Sequence, residues 1–387
     1  MDRDELRAWL RLLLAPGLGA CLARRLLAAL GSPQAIWDAD DAALSWLTPR
    51  ERKAVRAEVP PLDEQVELTW AWLQTDTPVG APRAVITLAD ERYPTALLQA
   101  AADPPVLLFA QGRLDLLQAA SLAVVGSRHP TPQGQDNARA FAQALSAAGL
   151  TIVSGLADGI DGAAHEGALD GAAAAGLGLG GPGSTIAVVG TGLDRVYPRK
   201  HQALAHRIAR EGLLISEFPL GTPPLPANFP KRNRIVAGLS RGTLVVEAAL
   251  QSGSLITARL ASEMGREVLA IPGSIHSPQA RGCHSLIKQG AKLVETAQDV
   301  LEELNWATPV PAAGATLTPL AGDEAGDGVE GGDALLAAMG FDPVSQDALS
   351  ARTGMGPAEL GARLLDLELS GLVARLPGLL FQRLTRA

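Results

Sequence analysis

The stretch Thr151-Ile152-Val153-Ser154-Gly155-Leu156-Ala157-Asp158-Gly159-Ile160-Asp161 passes from a short apolar strand, through a turn of small polar residues, into a helical pattern. The same junction recurs on either side of it. Upstream, residues 122–125 are apolar and lead into Gly126-Ser127-Arg128 and a helical stretch near 134–148. Downstream, strands are expected at 185–189, 213–216, 243–246 and 268–271, with helices near 159–168, 199–211, 229–240 and 253–265. Such alternation implies right-handed crossovers and a mostly parallel sheet with helices on both faces. The strands are near-continuous apolar runs, as doubly covered strands should be. The fold class is therefore α/β, a Rossmann-like, mostly parallel sheet, and the 84–120 region is expected to add an edge element.

Composition agrees with a folded chain. Its 387 residues are 47% hydrophobic and 19% charged, with a mean hydropathy of +0.14, which excludes wholesale disorder. Cys21 and Cys283 are the two cysteines, too few for a disulfide scaffold or a structural zinc site, and they suit a reducing cytoplasm. The opening Met-Asp-Arg-Asp-Glu has the wrong charge for a secretory signal, and no apolar run is long enough to span a membrane. A cytoplasmic protein without membrane insertion is expected.

Four regions follow from the pattern. Residues 1–80 read as a helical unit, with Leu6, Trp9, Leu10, Leu13 and Leu14 at helical spacing before the break Pro16-Gly17-Leu18-Gly19. That turn fits a helix-hairpin-helix, which can hold a DNA phosphate, or an ordinary pair of packed helices. Residues 84–300 form the Rossmann-like domain, within which the Ala/Gly-rich 169–184 reads as a flexible loop insertion. Residues 301–332 read as a linker rich in Pro, Gly and acids. Residues 333–387 read as a winged-helix-like domain. Its second helix carries Glu359, Arg363, Asp366 and Glu368, an acidic face suited to protein contact more than to DNA.

The net charge of −8 hides an asymmetry. Residues 227–292 hold nine Lys and Arg against three Glu, whereas 295–347 hold eleven Asp and Glu and no base. Local charge decides where a polyanion can sit. The sharpest basic feature is Asn228-Phe229-Pro230-Lys231-Arg232-Asn233-Arg234. Asn228 suits a helix N-cap. The three cations then crowd a helix N-terminus, where the macrodipole is already positive. A phosphate chain is the simplest partner, and pairing with distant Asp or Glu is the alternative. Phe229 beside the run offers a flat face for a base. Arg128 would reach the same rim.

Ligands of open parallel sheets bind beyond the carboxyl ends of the strands. Here those ends carry Gly126-Ser127-Arg128, Ser154-Gly155, Gly190-Thr191-Gly192, Ser252-Gly253-Ser254 and Pro272-Gly273. Small residues let a ligand approach the backbone, and free amides at helix starts attract anions. No dinucleotide or P-loop fingerprint is present. Catalytic groupings are thin. Asp158 and Asp161 before His165 lack a further ligand and read as cap and turn residues, His201 and His206 as surface residues, and Glu217 and Glu247 as strand-end carboxylates without an assignable partner.

Taken together these strings resemble the DNA-processing protein A family (DprA, also called Smf). The match rests on Gly126-Ser127-Arg128, the 154–165 stretch with Asp161 and His165, Gly190-Thr191-Gly192-Leu193-Asp194 with Tyr197-Pro198, the 229–240 run, Glu247, Ser252-Gly253-Ser254-Leu255-Ile256-Thr257-Ala258 and Pro272-Gly273. The resemblance implies an extended Rossmann-like core, binding of single-stranded DNA, homodimerisation and loading of RecA recombinase in natural transformation and recombination, with no catalytic residue, no metal and no cofactor. It carries the DNA pocket to Gly126, Ser127, Arg128, Gly155, Phe229, Lys231, Arg232, Asn233, Arg234, Ser252, Gly253, Ser254 and Gly273. Gly282-Cys283-His284 departs from the family's usual Gly-x-Asn. The rival reading is a Rossmann-like nucleotide-hydrolysing enzyme, suggested by Arg241-Gly242-Thr243 ahead of Glu247.

Overall fold

The structure, a computed structural model, describes residues 1–75, 80–100, 103–176, 183–275, 277–306, 334–339 and 343–384. The chain opens with helices α1 (Arg3–Leu14), α2 (Ala20–Leu30), α3 (Pro33–Asp38), α4 (Pro49–Val55) and α5 (Leu62–Gln74). Asp2 caps α1 by accepting from Glu5 N, and a Thr48–Glu51 capping box starts α4. Gly17, at φ +79°, makes the turn between α1 and α2, a backbone region that L side chains rarely enter.

The central region then runs β1 (Arg83–Thr87), α6 (Thr95–Ala100), β2 (Leu107–Gly112), β3 (Ser121–Val125), α7 (Pro132–Ala147), β4 (Thr151–Ser154) and α8 (Ile160–Ala174). It continues with β5 (Ser184–Val188), α9 (Gln202–Glu211), β6 (Leu213–Ser216), α10 (Asn228–Leu239), β7 (Gly242–Val245) and α11 (Ser254–Glu263). It ends with β8 (Glu267–Ala270), α12 (Arg281–Lys288), β9 (Lys292–Leu293) and α13 (Ala297–Glu303). Among the described residues these strands form one nine-stranded sheet in the order β1-β2-β6-β5-β4-β3-β7-β8-β9. Strands β3 to β9 pair in parallel, whereas β2 pairs antiparallel with β6 and β1 antiparallel with β2. The 84–120 region thus adds two strands, and the sheet is α/β and mostly parallel, as read from the sequence.

Alternate residues of each strand enter opposite cores. Val125, Val153 and Val188 pack with Ile235 and Val236 of α10, while Val124 and Ile152 pack with Phe141 of α7 and Ala164 of α8. The N-terminal helices have no separate floor. Leu6, Trp9 and Trp72 share a core with Val85, Leu107 and Phe109 of the antiparallel strands.

Two expectations about irregular segments are corrected. The helix expected to end near 168 runs on to Ala174, so 169–174 are not loop. Gly167 and Gly171 lie so close to Arg139 O and Gln143 O of α7 that a Cβ would overlap those carbonyls, and Leu169 and Ala172 are buried. The Ala/Gly composition that reads as loop is what lets α8 touch α7. Residues 177–182 of that insertion lie outside the described residues. Likewise the core extends past 300: Leu301 and Leu304 are buried, and Trp306 Nε1 donates to Ala148 O at 3.0 Å. Most of the expected linker, 307–332, lies outside the described residues.

The C-terminal region forms its own small core around Leu335, Leu349, Leu360, Leu364, Val373 and Phe381. Its elements are α14 (Ala334–Met339), β10 (Val344–Ser345), α15 (Gln346–Thr353), α16 (Pro357–Leu369), β11 (Val373–Leu376) and β12 (Leu380–Arg383). A helix pair followed by a β-hairpin is a winged helix. Gly354, left-handed at φ +71°, ends α15. Among the described residues no helix is long and apolar enough to cross a membrane.

Candidate nucleic-acid interface

Strand β3 is followed through α7 by β4 on one side, and has β7 on the other. The crevice between the carboxyl ends of β3 and β7 is therefore the topological switch point, where such sheets bind ligands. An open pocket of about 490 Å³ lies there. Its wall is built from the β3–α7 loop, the start of α10 and the turn before α11. Of the residues expected at the site, it brings together Gly126, Ser127, Arg128, Phe229, Arg232, Asn233, Ser252, Gly253 and Ser254.

Glu247 clamps the β3–α7 loop: its carboxylate accepts from Thr131 N at 2.9 Å and Thr131 Oγ1 at 2.6 Å, and its carbonyl accepts from Ser127 N at 2.7 Å. Burial pushes the Glu247 carboxyl above its usual range, against the pull of the Thr131 hydrogen bonds. Asn233 Nδ2 donates to Gly253 O at 3.4 Å, tying α10 to the next loop. The start of α11 presents hydroxyls more than free amides. Ser252 Oγ and Ser254 Oγ are 2.7 Å apart, and the N–H groups of Leu255 and Ile256 turn back to Ser252 O and Gly253 O. This corrects the expectation of open amides at that helix start.

Arg232 is the floor of the pocket. It is only 5% exposed, and its Nε is buried without a hydrogen-bond partner. Gly155 is glycine because a Cβ there would overlap the guanidinium. Asp161, also buried, accepts from Gly155 N at 3.1 Å and Ala157 N at 3.2 Å. Burial pushes the Asp161 carboxyl upward while the charge of Arg232 pulls it back. Burial lowers Arg232 to about 10, with Asp161 opposing, so the guanidinium remains protonated at neutral pH. Among the described residues no group of three His, Cys, Asp or Glu could hold a metal ion.

Four expected residues stand off the pocket lining, Gly155 behind the Arg232 guanidinium and three others, and one cap is corrected. Arg234 points away, buried in an ion pair with Glu217 at 2.6 Å and a second with Asp103 at 3.2 Å. Lys231 lies 3.8 Å from the same Glu217 and 5.3 Å from the Phe218 ring centre. Two of the three crowded cations are thus offset by acids distant in sequence. Gly273 lies off the pocket's lining and accepts from His284 Nε2 at 2.9 Å, and it faces Ala280. Asn228 does not cap α10: the cap position is Ala227, and Asn228 Nδ2 donates to Gly190 O at 3.1 Å.

Sequence reasoning missed other groups. Gln279 lines the pocket with a buried Oε1 that has no partner. His201 is half-buried, not a surface residue, its Nδ1 3.1 Å from Leu156 O. His165 is fully buried. Thr185 Oγ1 donates to Ile152 O at 2.7 Å, so it must accept from His165 Nδ1 at 2.6 Å, which leaves Nε2 unprotonated and unpartnered. Burial drives His165 down to about 3. Cys283 is buried, with its thiol pushed up to about 12, and is no candidate nucleophile.

Known proteins share this architecture. Residues 84–305 match the family model of DNA recombination-mediator protein A, and residues 327–378 match that of the DprA winged helix domain. The chain is 43% identical to protein Smf of Escherichia coli over 81% of its length and 80% of that protein. It is 48% identical to DNA processing protein DprA of Streptococcus pneumoniae over 57% of its length and 74% of that protein. The crystal structure of the Streptococcus pneumoniae protein superposes with a TM-score of 0.62 and 37% identity, covering 78% of this chain and 98% of that one. A structure of DNA processing protein A from Helicobacter pylori, described for its single-stranded DNA binding mode, superposes with a TM-score of 0.51 and 29% identity, covering 58% and 95%.

Proposed function

Because this chain belongs to the DNA recombination-mediator protein A family, we propose that it binds single-stranded DNA regardless of sequence and delivers the strand to a RecA recombinase in natural transformation. The observation that carries the reading is the floor of the pocket. Arg232 is charged, buried and incompletely partnered, in an open crevice with Arg128 at its mouth. A buried cation of this kind calls for an anion, because a charge out of water is costly unless paired. Phosphates are the anions every DNA strand carries, whatever its bases. Gly126, Ser127, Ser252 and Ser254 supply small groups and hydroxyls that let a sugar–phosphate chain come close.

No catalysis is assigned to the site. Asp161 and Glu247 are engaged in holding loops. The recombinase partner, the homodimer and the cytoplasmic location belong to the same reading and rest on the family.

The test is a titration of the full chain with two single strands of unrelated sequence and with their duplexes, at two ionic strengths. Similar affinities for the two single strands, weaker duplex binding and weakening by salt are expected. Binding that ignores salt, or that follows sequence, contradicts the reading. Loading is read as faster RecA filament assembly on single strands, and no acceleration removes that half of it.

A further inference from the structure

We propose that Tyr197, the more exposed partner of Phe229, supplies a stacking surface on which a base of the bound strand rests as the strand leaves the pocket. This rests on the single-stranded DNA reading above and adds a residue to it.

Phe229 lines the pocket and is half-buried, with neighbours against its ring. A Cβ at Gly190 would lie 3.1 Å from Phe229 Cδ1, so the ring rests on bare backbone at that side. The Tyr197 ring is 5.5 Å from it, tilted by 39°. The Arg128 guanidinium lies 5.8 Å from its centre. These neighbours cover part of the Phe229 ring, which is the less exposed of the two aromatics. Tyr197 is the outer member of the pair, 48% exposed, and its contact with Phe229 anchors it to the pocket rim. The chain's other tyrosine, Tyr93, is buried with its hydroxyl on Pro105 O, as a core tyrosine would be.

The surroundings of Tyr197 suit a nucleotide rather than an apolar partner. Arg195, Arg199 and Lys200 are exposed on either side of it. Asp194 and Asp158 pair with Arg195 and Lys200, while Arg199 makes no ion pair among the described residues. An aromatic face between cations can take a base and its phosphates together. Stacking also tolerates any base, because each has a π-face, so it is compatible with sequence-independent binding.

The test compares a dT oligonucleotide with one of the same length whose central units are abasic. Both carry the same phosphates, so the ratio of their affinities isolates contacts to bases. The wild-type full chain should prefer the base-bearing strand by about 5- to 100-fold. Tyr197→Ala should collapse that ratio by weakening the base-bearing strand more than the abasic one, and Tyr197→Phe should preserve it. If Tyr197→Ala keeps the wild-type ratio while Arg128→Ala weakens both strands, the DNA reading stands and the stacking role of Tyr197 is overturned. If the wild type binds neither strand, both fail.

Discussion

Arg232 and Arg234 sit two residues apart on α10, both buried, and serve opposite ends. Arg234 is closed off by Glu217 and Asp103 on the inner side of the helix. Arg232 faces the open pocket, with Asp161 nearby and its Nε unpartnered. Both guanidiniums keep buried nitrogens without a hydrogen bond, so the difference lies in their surroundings: Arg234 faces two carboxylates, whereas Arg232 lines an open pocket that a ligand can enter. The lesson is that charge counted along a sequence overstates the charge that a ligand meets.

The largest test of this contrast is stability. Arg234→Ala would take the 2.6 Å partner from buried Glu217 and leave it only Lys231 at 3.8 Å, so a loss at the lower end of about 3–5 kcal/mol is expected in denaturant unfolding. Affinity of the remaining folded protein for single strands should change little. A stability change near zero would mean that the pair is incidental and that the two arginines are alike.

Next comes binding. Arg232→Ala should weaken single-stranded DNA by about 1.5–3 kcal/mol, roughly ten- to a hundredfold, equally for every sequence, as read by fluorescence anisotropy. An unchanged affinity would remove Arg232 from the interface.

A third basic group sharpens the comparison. His165, behind the same loop, is held neutral by burial and depressed to about 3. Unfolding returns it to about 6.5, so below that pH the unfolded chain binds the extra proton. Its contribution to stability is therefore full above pH 6.5 and declines as pH falls toward 3, by about 1.4 kcal/mol per pH unit. His165→Gln should flatten that decline between pH 6 and about 4, measured as unfolding free energy against pH. A slope identical to the wild type would mean that His165 is protonated in the fold.

How much of this was legible beforehand follows the range of the interactions. The parallel strands could be read locally, since a strand covered on both faces is apolar throughout. So could the turns at the switch point, because Gly126-Ser127-Arg128 directly follows β3. The partners of Arg234 could not, since Glu217 and Asp103 are distant in sequence and reach it only once β6 and α10 are side by side. Strand β1 pairs antiparallel with β2, and β2 antiparallel with β6, an order that no local pattern announces. The extension of α8 to Ala174 was hidden because close helix packing and a flexible loop use the same small residues. Tyr197 precedes Pro198 after the Gly190-Thr191-Gly192 turn, but its contact with Phe229 joins the β5–α9 connection to α10 and exists only in three dimensions.

The most direct test of the account is the salt dependence of single-stranded DNA binding in two variants, Arg232→Gln and Arg234→Gln. Each phosphate neutralised by the protein contributes about −0.7 to the slope of log K against log salt. Arg232→Gln should make the slope shallower by about that amount, and Arg234→Gln should leave it at the wild-type value. Equal changes in both variants, or a wild-type affinity that does not respond to salt, would contradict the account.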